Sequence, residues 1–243
     1  SSELAKLTAN AFLAQRISSI NSIGALCEAT GANVAEVARA IGSDKRIGSK
    51  FLDSGPGFGG SCFKKDILNL VYLSSYFGLT EVANYWESVV RLNYWHQNRI
   101  SKLIVKKLFG TITSKKIGIL GFAFKANTND TRESSSIKIC KDLLEEGAIL
   151  YIHDPKVNKS QIEYDLGKKS TNSLDIEGSD FDLDGHWSFS NSIYEVAAGA
   201  DALVVLTEWE EYSTIDWELI SEKMRKPAWI FDSRSILVKE NIC

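Results

Sequence analysis

Cys62 stands between a glycine-rich turn and an apolar run: Gly55 to Asp66 reads GPGFGGSCFKKD, and Ile67-Leu-Asn-Leu-Val-Tyr-Leu73 follows. The run predicts a helix from about Ser61 to Tyr76, with Ser61 and Cys62 at its N-terminus. Unpaired amides and the positive end of the helix dipole favour negative charge there. Lys64 and Lys65 follow directly, and Asp66 falls four residues after Cys62 on the same helical face, placed to hold a water or move a proton. Together these residues have what a covalent thiol catalyst needs. A lone cysteine is more often a small buried hydrophobe. The glycines change the balance: Gly55, Gly57, Gly59 and Gly60 imply backbone that approaches something closely or takes positive φ, and core packing needs neither. Lys45, Arg46, Lys50, Lys64 and Lys65 gather about this turn, a local excess suited to a small anionic ligand such as a phosphate ester.

The elements that must position this turn are helical. Leu4, Leu7, Ala11, Ala14, Ile17, Ile20 and Ile23 recur at three- and four-residue steps, one face of a long helix from Glu3 to about Thr30. Asn33 and Glu36 read as a capping box opening a short helix that stops at Gly42. Thr80 caps a further long helix, through Val82, Trp86, Val89, Val90, Ile100, Leu103 and Ile104 to Gly110. A helix of that length in a small domain commonly packs on a symmetry mate, so homodimerisation through this region is expected.

Beyond about Thr111 the pattern alternates. Strands are predicted at Ile117–Gly121, Ile149–Ile152, Ala202–Leu206 and Ala228–Phe231, with helices at Ser135–Glu145, near Ile193–Ala198 and at Asp216–Met224; a polar stretch from Val157 to Asn191 interrupts them. The fold class is therefore α/β: a central long-helix domain over 1–111, then a Rossmann-like parallel sheet over 112–243, binding ligands beyond the carboxyl ends of its strands. Phe124, Lys125, Asp154, Thr207, Glu208, Trp209, Asp232 and Arg234 lie there. The first strand runs on as Gly121-Phe-Ala-Phe-Lys125 without a GxGxxG, so an ordinary NAD site on this sheet is not expected. Lys125 and Arg132 remain candidates for holding a phosphate.

Composition narrows the classes. With 28 basic and 31 acidic residues and a formal charge of -3, the chain has no general attraction for nucleic acid or an anionic membrane. No apolar run is long enough to span a bilayer, and no signal peptide precedes the first helix. Asp175, Glu177, Asp180, Asp182 and Asp184 crowd one polar segment, read as a solvated face. Cys27, Cys62, Cys140 and Cys243 form no CxxC pair, and His96, His153 and His186 are scattered, so no metal site is indicated. Cys27 and Cys140 read as core, and a reduced, cytoplasmic setting follows. A generic thiol hydrolase fits less well, since no histidine lies near Cys62 in sequence.

Three segments, AKLTANAFLAQRISSIN at 5–21, GFGGSCFKKD at 57–66 and GFAFKANTNDTRESSSI at 121–137, resemble those of the UDP-glucose 6-dehydrogenase family, its eukaryotic-type members most closely. The resemblance implies a two-step oxidation of UDP-glucose to UDP-glucuronate with NAD as cofactor, through a thiohemiacetal and a thioester on Cys62. It implies that Lys6 and Asn10 hold the reacting oxygen and its water, and that Asp66 assists proton transfer. Asp53, Ser54, Gly55, Pro56, Gly57, Phe58 and Gly59 match the loop that wraps the UDP-sugar, and Phe124, Lys125 and Arg234 match further substrate contacts. Arg46 matches an arginine that reaches the substrate of a neighbouring subunit, which implies a homodimer or higher oligomer. Cys62, Phe63, Lys64, Lys65 and Arg132 match positions that touch NAD. The family's N-terminal dinucleotide-binding domain has no counterpart, so the chain is expected to be the central and UDP-binding parts of such an enzyme, inactive alone. Related enzymes acting on UDP-N-acetylmannosamine, UDP-N-acetylglucosamine or GDP-mannose use the same cysteine chemistry, and a non-catalytic UDP-sugar-binding or dimerisation module is the reading from another class. The match around Cys62 and Phe124 favours UDP-glucose.

Overall fold

A computed structural model describes residues 1–171 and 185–237. The acidic cluster from Asp175 to Asp184 lies outside them. The chain divides into two compact units, Ser1–Gln97 and Asn98–Cys243. The sequence places a boundary at 111/112, where the last long helix ends. The units part earlier because Ile100, Ile104 and Leu108 are buried in the core of the sheet.

The first unit is built from α1 (Ser2–Thr30), α2 (Val34–Gly42), α3 (Phe63–Tyr76) and the greater part of α4 (Thr80–Lys107). Leu7, Ala11 and Ala14 of α1 meet Ile67 and Leu70 of α3 and Val89 and Val90 of α4, with Phe58 filling the same core from the loop before α3. Ala11 and Ala14 are wholly buried, and their small side chains let the neighbouring helices approach closely. Gly31, at φ 76, closes α1 with a left-handed cap. Asn33 caps α2 as its sequence implies, its side chain accepting from the Ala35 amide.

The second unit carries a parallel five-stranded sheet in the order β3-β2-β1-β4-β5. Its elements are β1 (Lys116–Leu120), α5 (Ser135–Glu145), β2 (Ile149–His153), α6 (Lys159–Leu166), β3 (His186–Phe189), α7 (Ile193–Ala197), β4 (Ala202–Val205), α8 (Glu210–Thr214), α9 (Trp217–Lys223) and β5 (Trp229–Asp232). The central strands are covered on both faces, which is why Ile117, Ile119 and Leu120, and all of β4, are buried apolar residues without alternation. Strand order reverses between β1 and β4, the place where such sheets open a crevice at their carboxyl ends.

Three elements escape the sequence pattern. The polar stretch from Val157 contains α6 and β3, and α8 precedes the helix predicted at 216–224. In α6 only Ile162 and Leu166 are buried, and β3 is an edge strand of four residues with one wholly buried side chain, Trp187. Neither offers enough repeats for a period to emerge.

Gly121 ends β1 with φ 96, and a β-carbon there would lie 2.7 Å from the Thr207 amide nitrogen. Both conformation and space exclude a side chain. Gly121→Ala is expected to destabilise the sheet unit by roughly 2 to 5 kcal/mol, read as a lower midpoint in urea denaturation.

Burial holds the imidazoles of His153 and His186 below their ordinary pKa of 6.5, Lys168 adding to the effect at His186 and Asp154 opposing it at His153. As pH falls below 6.5 the unfolded chain takes up protons that the folded one resists, so stability falls with pH. Glu211, pushed up by burial and by Asp154, acts in the opposite sense above 4.5. The double variant His153→Gln, His186→Gln is expected to lose less stability than the parent between pH 6.5 and about 5, measured by urea midpoints across that range.

Candidate functional site

Cys62 is the N-cap of α3, with φ -96 and ψ -48, so the helix opens two residues later than the predicted Ser61. Its thiol is exposed and 3.7 Å from Ser61 Oγ, and no side chain caps the helix. The first-turn amides of α3 therefore stand ready for an anion. Lys65 is exposed in the first turn, and Lys64 lies over the Tyr94 ring at 5.3 Å.

Asp66 begins the first α-helical hydrogen bond, its amide donating to the Cys62 carbonyl at 2.9 Å, while its carboxylate is turned inward and is 3% exposed. A buried carboxylate needs a donor. Asn10 supplies one from α1, with Nδ2 donating to Asp66 Oδ2 at 2.6 Å. Packing of α1 on α3 thus brings together Asn10, Asp66 and, one turn before Asp66, Cys62. Lys6 lies one turn before Asn10 on α1, exposed.

The loop between Asp53 and Gly60 is mostly buried although it is neither helix nor strand. Gly57 and Gly60 take φ 125 and 83, the conformational need that the glycine spacing implied. Side chains of the helices hold it. Asn21 Oδ1 accepts from the Gly55 amide at 2.9 Å and lies 3.2 Å from Ser54 Oγ. His96 Nε2 lies 2.9 Å from the Gly55 carbonyl oxygen. Asn93 Oδ1 accepts from the Phe58 amide at 2.9 Å, and its Nδ2 donates to the Phe58 carbonyl at 3.2 Å. Sequence reading missed these three. Their signal is a polar residue on an apolar stripe: Asn21 follows Ile17 and Ile20, and Asn93 and His96 continue the steps of Val89 and Val90.

Arg46 is exposed and forms a fork with Asp44, two residues away, at 2.6 Å. Asp44 is held below the ordinary carboxylate range by that side-chain hydrogen bond. Arg16 fastens the same loop from α1, donating to the carbonyls of Ile47 and Gly48 at 2.8 Å each.

In the second unit, the loops beyond β1, β2 and β4 converge on Asp154, which is buried. Its Oδ2 accepts from the amides of Phe122 at 2.7 Å and Ala123 at 3.0 Å and from Trp209 Nε1 at 3.2 Å. Its Oδ1 accepts from the amides of Lys156 and Val157, each at 2.9 Å. Thr207 Oγ1 donates to the Ala123 carbonyl at 2.7 Å, and Ser134 Oγ to that of Phe122 at 2.8 Å. This lattice fixes the backbone that leads into Phe124 and Lys125.

Arg234, just past β5, donates through Nε to the Leu206 carbonyl at 2.9 Å and through Nη2 to the Phe124 carbonyl at 3.3 Å, with Glu208 Oε2 at 3.1 Å. Burial pulls the Arg234 pKa below its ordinary value, with Glu208 and Asp232 opposing. The carboxyl edge of the sheet therefore gathers Phe124, Lys125 and Arg234, as the sequence predicted for residues beyond the strand ends. Lys125 is exposed, with Nζ 5.5 Å from the Phe124 ring centroid. Arg132, in the turn before α5, meets Asp130 at 2.7 Å. An exposed cation, an aromatic ring and a fixed guanidinium at a topological switch point suit a nucleotide.

A model of the UDP-glucose/GDP-mannose dehydrogenase family central domain matches residues 1–95, and a model of that family's UDP binding domain matches residues 118–239. UDP-glucose 6-dehydrogenase of Gallus gallus is 56% identical over 237 residues, 98% of this chain and 47% of the relative. That of Drosophila melanogaster is 52% identical over 242 residues, 100% of this chain and 50% of the relative. Among solved structures, a UDP-glucose dehydrogenase from the hyperthermophilic archaeon Pyrobaculum islandicum is similar with a TM-score of 0.77 at 29% identity, over 96% of this chain and 47% of that one. The chain spans about half the length of the curated relatives it matches. With both models accounting for most of its length, the chain belongs to the UDP-glucose/GDP-mannose dehydrogenase family.

Proposed function

We propose that this chain supplies the thiol centre and the UDP-sugar-binding part of an NAD-dependent UDP-glucose 6-dehydrogenase, which oxidises UDP-glucose to UDP-glucuronate in two steps. The observation that carries the reading is Cys62, an exposed thiol at the uncapped start of α3, with the buried Asp66 carboxylate and its partner Asn10 one turn away. Identity of 52% to 56% with UDP-glucose 6-dehydrogenases supports that substrate over other nucleotide sugars.

The first oxidation turns the C6 alcohol into an aldehyde. Cys62 Sγ adds to the aldehyde carbon, the thiol proton passing to O6, and a thiohemiacetal forms. Loss of a second hydride from C6, together with the O6 proton, gives the thioester. Water then attacks C6, the C–S bond breaks, and the carboxylate leaves with the thiol restored. Bound NAD supplies the hydride acceptor for the two oxidations. Asp66, oriented by Asn10, moves protons to and from the attacking water and O6. Lys6 holds the oxyanion by charge, and Asn10 the water. The residues of this chain that would hold NAD are Cys62, Phe63, Lys64, Lys65 and Arg132; their cations and the amides opening α3 suit an anionic pyrophosphate.

UDP-glucose is held by the loop from Asp53 to Gly59 and by Phe124, Lys125 and Arg234. The protein acts as a homodimer or larger oligomer through its central helices, where Tyr72, Tyr76 and Phe77 are 67%, 73% and 69% exposed, an aromatic surface suited to an interface. Arg46 then serves a neighbouring subunit's substrate. The free thiols of Cys27, Cys62 and Cys140 fit the cytoplasm. Among the described residues no helix is long and apolar enough to cross a membrane.

Cys62→Ser in the full-length protein is expected to cut UDP-glucuronate formation by roughly a thousandfold or more, while UDP-glucose binding in calorimetry stays near the parent's. Loss of binding instead would make the thiol a structural group. Lys125→Ala is expected to weaken UDP-glucose and UDP alike, roughly 10- to 100-fold. Affinities equal to the parent's would remove Lys125 from the site.

A further inference from the structure

Gly55 and Phe58 have all four of their backbone polar groups engaged, and every partner is a helix side chain rather than backbone. The contacts define the chemistry at each end. An amide N–H only donates, so Asn21 and Asn93 both present Oδ1 to the loop; a carbonyl only accepts, so the His96 ring carries its proton on Nε2. Ordinary secondary structure could not do this work. Pro56 has no N–H to give, and Gly57 and Gly60 take positive φ values that interrupt any ladder. The two amides and the imidazole therefore replace a sheet neighbour, gripping the loop at residues three apart and leaving Gly57 between the grips. Among the described residues, no hydrogen bond of the protein takes the amides of Gly57 or Gly59.

We infer that Asn21, Asn93 and His96 are positioning residues for substrate: they fix the peptide planes of Gly55 and Phe58, so that the free amides of Gly57 and Gly59 meet the sugar nucleotide. Gly55 and Phe58 then shape the loop and bond nothing in the substrate through their backbone. The inference rests on the reading of this loop as the one that binds UDP-glucose. Removing a grip lets the peptide planes turn, so the loss falls on one substrate. NAD binding, which the loop does not serve, is spared.

The test uses the full-length protein with three variants. His96→Leu removes the donor to Gly55, His96→Gln restores an N–H of similar reach, and Asn93→Leu removes both contacts with Phe58. In the two Leu variants the KM for UDP-glucose is expected to rise at least tenfold and the KM for NAD to stay within twofold, with recovery in His96→Gln. Deuterium uptake across residues 53–62 should quicken at least tenfold while α1 and α3 keep the parent's rates. A UDP-glucose KM like the parent's would overturn the inference. So would equal losses toward both substrates with faster exchange throughout the helices, unrepaired by His96→Gln, since that marks general support of the fold. A parent that neither binds nor oxidises UDP-glucose would instead refute the functional reading; the exchange data would then decide alone, a local response sustaining the gripped loop and a parent-like one refuting it.

Discussion

A buried peptide group must find a hydrogen-bond partner, and both units of this chain place the loops of the candidate site where backbone alone cannot provide one. Each solves the problem with side chains. In the second unit one carboxylate, Asp154, receives the amides of Phe122, Ala123, Lys156 and Val157 and the indole of Trp209. In the first, Asn21, Asn93 and His96 take the amides and carbonyls of Gly55 and Phe58. A single group that ties several loops makes them move as one, because any loop that shifts leaves a buried donor unpaired.

This constraint explains which residues are free for chemistry. The thiol of Cys62 and the ammonium of Lys125 are exposed at the ends of otherwise fastened segments. Asp66 is the reverse case, a buried carboxylate that accepts a hydrogen bond from Asn10. Arg234 shows how far satisfaction of backbone can reach into a binding region: its guanidinium joins Leu206, Glu208 and Phe124, so it orders the loop that offers Phe124. A side chain can hold a ligand well only when its own position is already determined.

Much of this was legible in sequence. The long helices declared themselves through apolar steps, and the α/β alternation through short buried runs. The candidate site around Cys62 was legible as a cluster because glycine, cysteine, lysine and aspartate stood within a dozen residues. What stayed hidden depends on distant partners. Asn21, Asn93 and His96 read as interruptions of apolar stripes, and only the folded loop shows what each one meets. The edge strand β3 and the helix α6 were lost inside a polar stretch, since Trp187 and the pair Ile162 and Leu166 are too few to reveal a period. Nothing in the sequence singles out Arg16, which donates to two carbonyls of the loop that carries Arg46.

The three described cysteines differ in a way that bears on damage. Cys27 and Cys140 are buried, and burial drives the Cys140 thiol far up from its ordinary range, so it offers almost no thiolate to an electrophile. Cys62 alone of the three meets solvent. Peroxide or a mild alkylating agent would therefore mark one of these sulfurs and pass over the other two. Under the proposed function, a single adduct at Cys62 would silence the chemistry while leaving both cores intact, so the proposed nucleophile is also the sulfur most open to oxidation among those described.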